Sequence, residues 1–136
     1  MSLFVDTSVW SLAFRRDRPS NVPQVRTLMR AIERGEHLVT TGLVLQELLQ
    51  GFAGAKARDQ IIEHLAALPL LVPDREDHIG AADLRTLCRR RGVQIGTIDA
   101  LLAQLCIRHK LTLLTTDEDF SRIAKYTELR LWTEIS

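Results

Sequence analysis

The chain has 136 residues, 46% of them hydrophobic, which suffices for one sizeable core, and residues 1–136 are read as a single domain. A formal net charge of +1 exerts no global pull toward nucleic acid or an anionic membrane, so such a partner has to be argued from local patches. The two cysteines, Cys88 and Cys106, lie outside any CxxC pair or His cluster, which argues against a disulfide framework or a structural zinc site; both read as small buried residues.

The first ten residues, "MSLFVDTSVW", have no basic n-region and their apolar run is cut by Asp6, while no later run is long enough to span a bilayer. A soluble, cytoplasmic protein with no membrane partner is expected. "LFVD" reads as a first strand, and the short helix after it takes Thr7 or Ser8 as its cap. In "SNVPQVRTLMRAIERGE", Ser20 or Asn21 offers a cap, Pro23 suits a first helical turn, and Val25, Leu28, Met29 and Ile32 form an apolar stripe ended by Gly35. "HLVT" is a second strand, after which Thr41 or Gly42 opens a helix over "LVLQELLQGF". "KARDQIIEHLAAL" is another helix, and "LLV", between Pro69 and Pro73, a short third strand.

Residues 74–91 read as a long helix with Ile79, Ala82, Leu87 and Cys88 inward and Gly92 at its C-terminal cap. "TIDALLAQLCIRHK" follows as a helix capped by Thr97. "LTLLTT" is the clearest strand; it leads into a short helix, "EDFSRIAKY", and "LRLWT" is a last strand. Strands alternating with helices indicate βαβ units, hence an α/β fold with a central, mostly parallel sheet covered on both faces.

In open sheets of this kind ligands bind outside the carboxyl ends of the strands, and the chain's isolated acids fall there. Asp6 ends the first strand, Asp117 follows "LTLLTT", Glu47 lies in the helix after the second strand, and Asp99 lies in the first turn of its helix. Four carboxylates in a small space repel one another and would take up protons near neutrality unless a cation relieved them. An all-oxygen donor set suits Mg²⁺ or Mn²⁺. Each acid also has an ordinary role available. Asp6 can cap a helix, Asp99 is favoured by the helix dipole, and Glu47 borders the apolar stripe of Val44, Leu45, Leu48, Leu49 and Phe52. Thr116 and Asp119 have capping-box spacing, which makes Asp117 the freer acid and Asp119 its reserve.

Taken in order, "FVDTSVW", "QELLQG", "TIDALLAQL" and "LLTTDEDF" resemble the PIN-domain nucleases, in particular the VapC type of ribonuclease toxin, over essentially the whole chain. The resemblance implies a three-layer α/β/α PIN fold and a catalytic set of Asp6, Glu47, Asp99 and Asp117, with Thr7 or Ser8 as a supporting hydroxyl. It also implies Mg²⁺ or Mn²⁺ dependence, RNA as substrate with tRNA or rRNA loops as typical targets, a homodimer, and an antitoxin protein as partner. The expected chemistry is hydrolysis of an RNA phosphodiester by a metal-activated water, with Asp6 and Asp99 as direct metal ligands. Exposed apolar residues on the early helices are candidates for the dimer surface.

An acidic site repels phosphates, so RNA needs positive surface nearby. Arg15, Arg16 and Arg18 follow the Asp6 loop and are the favoured group. Arg89, Arg90, Arg91, Arg108 and Lys110 sit at helix C-termini, where the dipole alone explains them. Aromatic residues make up only 5% of the chain, so a base-stacking platform is not expected, and Trp10 and Trp132 read as core or interface residues. Two rival readings differ in class. A non-catalytic PIN-like RNA-binding or scaffold module would fail to bind Mn²⁺. A haloacid-dehalogenase-type phosphohydrolase needs a second acid two residues after the first, where this chain has Ser8.

Overall fold

The computed structural model describes residues 2–15 and 21–134. Five short strands, β1 (Leu3–Val5), β2 (Leu38–Thr41), β3 (Leu70–Leu71), β4 (Thr112–Leu114) and β5 (Arg130–Leu131), form one sheet in the order β3-β2-β1-β4-β5. Every pairing among them is parallel. Parallel neighbours need crossover helices. These are α1 (Thr7–Phe14) and α2 (Pro23–Glu33), α3 (Gly42–Gly51) and α4 (Ala55–Ala66), α5 (Arg75–Arg90) and α6 (Thr97–Arg108), and α7 (Asp119–Tyr126). Helices α1 to α4 pack on one another, as do α5 to α7, so the sheet lies between two helical layers, as the α/β/α reading expected.

The three central strands are apolar because both faces are covered. Leu3, Phe4, Val5, Leu113 and Leu114 are wholly buried, and Val9, Leu28, Leu48, Leu105 and Ile123 pack in from the helices. Both cysteines are free and buried. Trp10 is buried and Trp132 half-buried against the core. The early helices leave Met29, Ile32 and Ile62 exposed, and α5 and α6 do the same for Ile79, Leu87 and Ile98. Among the described residues no helix is long and apolar enough to cross a membrane.

Helix ends show how local chemistry decides the boundaries. Thr41 caps α3, its hydroxyl accepting from the Val44 N–H, as expected. Thr7 and Ser8 do not cap α1. They lie inside it, with Asp6 in the cap position, because their hydroxyls are taken by Glu47 and Asp6. Helix α2 starts from Val22 and Pro23 without a side-chain cap from Asn21, and Ser20 lies outside the described residues. Thr97 is the first residue of α6, after Gly96, rather than its cap. Three helices end in paired C-terminal bonds of Schellman form, with Gly35, Gly92 and Lys110 at positive φ.

Helix α5 buries Cys88 as expected but not Ile79, Ala82 or Leu87. Asp77, Ala81, Leu84 and Cys88 are buried, whereas Ile79 and Leu87 stand 50% and 39% exposed and Ala82 is exposed too. A buried charge sets this rotation. Asp74 and Asp77 form a capping box, and Asp77 Oδ2 accepts from Arg108 Nη1 of α6 at 2.7 Å. Gly80 assists, since a Cβ there would overlap the Gln104 side-chain amide. Ala81, Leu84 and Cys88 do share helical spacing, but the more apolar Ile79 and Leu87 compete with them, and the inward Asp77 carries no apolar signal.

Candidate metal centre

The strand order reverses direction between β1 and β4, and the crevice above their carboxyl ends is where an open α/β sheet places a ligand. Val5 pairs with Leu114, so Asp6 and Thr115 leave the sheet side by side, and the Asp6 N–H donates to the Leu114 carbonyl. Asp6 is 7% exposed. Its Oδ2 accepts from Ser8 Oγ and from Thr115 Oγ1, each at 2.8 Å, leaving Oδ1 without a donor among the described residues.

The same hydroxyls organise the turn that follows β4. The Thr116 N–H donates to Ser8 Oγ at 3.1 Å and the Asp117 N–H to Thr115 Oγ1 at 3.0 Å. The Asp119 N–H then donates to Asp117 Oδ1 at 2.9 Å. This chain of bonds replaces the expected Thr116–Asp119 capping box: α7 has no side-chain cap from its N-cap residue, Glu118. Two donors of the turn already have partners, and the local structural duty falls on Asp117 instead of Asp119.

Asp99 enters from the first turn of α6, at its third residue. One carboxylate oxygen from each of Asp99, Asp117 and Asp119 lies within 4.8 Å of the other two. Burial, and then the charges of Asp117, Asp6, Asp119 and Glu47, push the Asp99 carboxyl up to about 6. The other acids singled out from sequence and the reserve thus all act on Asp99, while the oxygens that meet within 4.8 Å are those of Asp99, Asp117 and Asp119. Glu47 is exposed on α3 and reaches the group through Thr7, whose hydroxyl donates to Glu47 Oε1 at 3.2 Å. Cys106 lies beneath, its thiol pushed up by burial and by the Asp6 charge.

Only oxygen donors converge here, and their mutual repulsion is what a small divalent cation would relieve. The cluster has the composition to bind a metal, and hard, oxygen-preferring ions are the ones it fits. Thr115 is the member that sequence reasoning missed. Its signal was position alone, immediately past a strand paired in register with the one ending in Asp6.

Of the predicted cationic group, one member lies among the described residues. Arg15 is exposed at the end of α1, and Arg16 and Arg18 lie outside the described residues. Arg108 is committed to Asp74 and Asp77. Arg91 instead stacks over Tyr126, its guanidinium carbon 5.8 Å from the ring centroid.

Against known proteins, the family model described as PIN domain matches residues 3–126. VapC ribonuclease Mb1587 of Mycobacterium bovis and ribonuclease VapC11 of Mycobacterium tuberculosis are each 30% identical over 130 residues, covering 94% of this chain and 96% of the relative. Among solved structures, VapBC2 of Rickettsia felis, bound to a DNA fragment from its promoter, superposes with a TM-score of 0.72 at 20% identity, covering 98% of this chain and 100% of that one. VapC20 of Mycobacterium tuberculosis, described as a sarcin-ricin loop cleaving toxin, gives 0.67 at 20% identity, covering 95% and 99%.

Proposed function

We propose, from the premise that this chain belongs to the PIN-domain family and within it to the VapC ribonucleases, that it is a metal-dependent endoribonuclease and the toxin of a toxin-antitoxin pair. The observation that carries the reading is the meeting of Asp99, Asp117 and Asp119 oxygens within 4.8 Å, beside the hydroxyl-held Asp6. When bound, Mg²⁺ or Mn²⁺ supplies positive charge to a phosphodiester under attack and acidifies water.

The chain's own residues supply position. Ser8 and Thr115 fix one oxygen of Asp6, so the other is presented in a single orientation. Asp6 and Asp99 are the direct ligands in this reading. Asp117 and Glu47 complete the shell, and Asp119 joins them by proximity. At pH 7 the raised Asp99 carboxyl is still mainly ionised, and the five acids together exclude a phosphate unless a cation is present.

RNA is the substrate in this reading, with structured tRNA or rRNA as the class, and an antitoxin protein encoded in the same system is the partner. The names of the ribonuclease relatives and the two-component VapBC structures support both. A second copy of the chain belongs to the reading as well, since apolar residues on both helical layers are left uncovered. A test is incubation of the purified chain with tRNA and rRNA in Mg²⁺, Mn²⁺ or EDTA, beside Asp6→Asn. Discrete fragments are expected with either metal and with wild type only. Fragments in EDTA, or full activity in folded Asp6→Asn, would overturn the proposal.

A further inference from the structure

Helix α7 begins inside the acidic cluster with Asp119 and carries Arg122 and Tyr126 three and seven residues later, on one flank of the helix. At the rise of an α-helix that flank leads about 10 Å away from the cluster. Arg122 Nη1 is 3.5 Å from Asp119 Oδ1 and 63% exposed. Tyr126, the one tyrosine of the chain, is half-buried, and two exposed cations, Arg91 and Lys125, lie over its ring at 5.8 Å and 5.6 Å from the centroid. Arg91 is the C-cap of α5, and the loop after it leads to the turn of α6 that bears Asp99. The strip along α7 therefore starts at the metal cluster, through Asp119.

We infer that this flank of α7 seats the RNA strand next to the scissile phosphate, with Tyr126 stacking a base and Arg91 and Lys125 holding its phosphates. The inference rests on the ribonuclease reading above. When a base takes the place of exposed cations on an aromatic face, the cations turn to its phosphates, a combination that holds single-stranded nucleic acid with little sequence preference, and about 10 Å suits one or two nucleotides. The other basic row, Arg26, Arg30 and Arg34 on α2, lines a groove with Trp132 that contains none of the five acids, and Arg26 is already bonded to the Asn21 carbonyl and paired with Glu134. Few aromatics do not exclude stacking when the single tyrosine stands at this place.

The test uses the full chain with Mn²⁺, a fluorescein-labelled single-stranded RNA, and bis(p-nitrophenyl) phosphate as a diester too short to reach Tyr126. Tyr126→Leu is expected to raise KM for RNA about tenfold while leaving kcat and hydrolysis of the small diester unchanged. Tyr126→Phe, which keeps the ring, should retain the wild-type KM. Lys125→Gln should lower the slope of log affinity against log salt by about 0.7. Unchanged KM in Tyr126→Leu, equal loss in Tyr126→Phe, or equal loss on the small diester would overturn the strip while leaving the ribonuclease reading intact. If wild type cleaves no RNA, the ribonuclease reading fails, and anisotropy decides the strip separately: equal RNA affinity of wild type and Tyr126→Leu overturns it.

Discussion

Asp99→Asn is expected to stabilise the metal-free protein at neutral pH while weakening its response to Mn²⁺. The Asp99 carboxyl is raised from 3.8 to about 6, by burial first and then by Asp117, Asp6, Asp119 and Glu47. At about 1.4 kcal/mol per pK unit the ceiling is about 3 kcal/mol. Asp99 is only half-buried, so water screens it and about half of that figure, ~1.5 kcal/mol, is retained. Asparagine also gives up a negative charge in the first turn of α6, worth about 0.5 kcal/mol. A net gain of ~1 kcal/mol corresponds to roughly 3–5 °C in Tm for a domain of this size. The sign follows from linkage: a raised folded pKa means that stability is complete below about 3.8 and is lost as pH rises through about 6. The variant's advantage should therefore be full at pH 7.5 and about half as large at pH 5. Thermal unfolding in EDTA at the two pH values, then with Mn²⁺ at pH 7.5, reads all three effects. A variant less stable than wild type in EDTA at pH 7.5, or one stabilised by Mn²⁺ as strongly as wild type, would refute the repulsion on which the metal centre rests.

Thr115→Val keeps the shape but removes a donor to Asp6 and the acceptor of the Asp117 N–H; calorimetry should show Mn²⁺ affinity lowered by about 10–100-fold with the fold retained. Asp117→Asn and Asp119→Asn should each weaken Mn²⁺ binding at least about tenfold, and wild-type affinity in Asp119→Asn would remove that residue from the donor set. Arg108→Ala strands the buried Asp77 carboxylate, so a loss of about 2–3 kcal/mol in urea unfolding is expected. RNA cleavage by the folded fraction should be unaffected. Lys110→Gly relieves a left-handed residue at φ 55, and a gain of about 0.5–1 kcal/mol is expected, read as a higher unfolding midpoint.

Most of the fold was legible because Gly35, Gly92, Pro69 and Pro73 punctuate runs whose apolar periods differ between strand and helix. The sheet end was legible because Asp6 stands directly after one apolar strand and Asp117 three residues past another, where an unpaired acid is costly. Side-chain partners across the sheet were not. A threonine after a strand carries no periodic signal, so Thr115 escaped notice. The Thr116–Asp119 spacing pointed to a capping box, but Ser8, Thr115 and Asp117 claimed the turn's donors first. Helix α5 turned its Asp77 inward toward Arg108, and hydrophobic period gives no sign of a buried aspartate on the face of Ala81, Leu84 and Cys88.

Because Asp6 and Thr115 are 109 residues apart and meet where β4 zips against β1, the acidic centre cannot assemble until that pairing is made. Long-range pairing of this kind has to close a loop of most of the described chain before its contacts form, which favours slow assembly of the acidic centre.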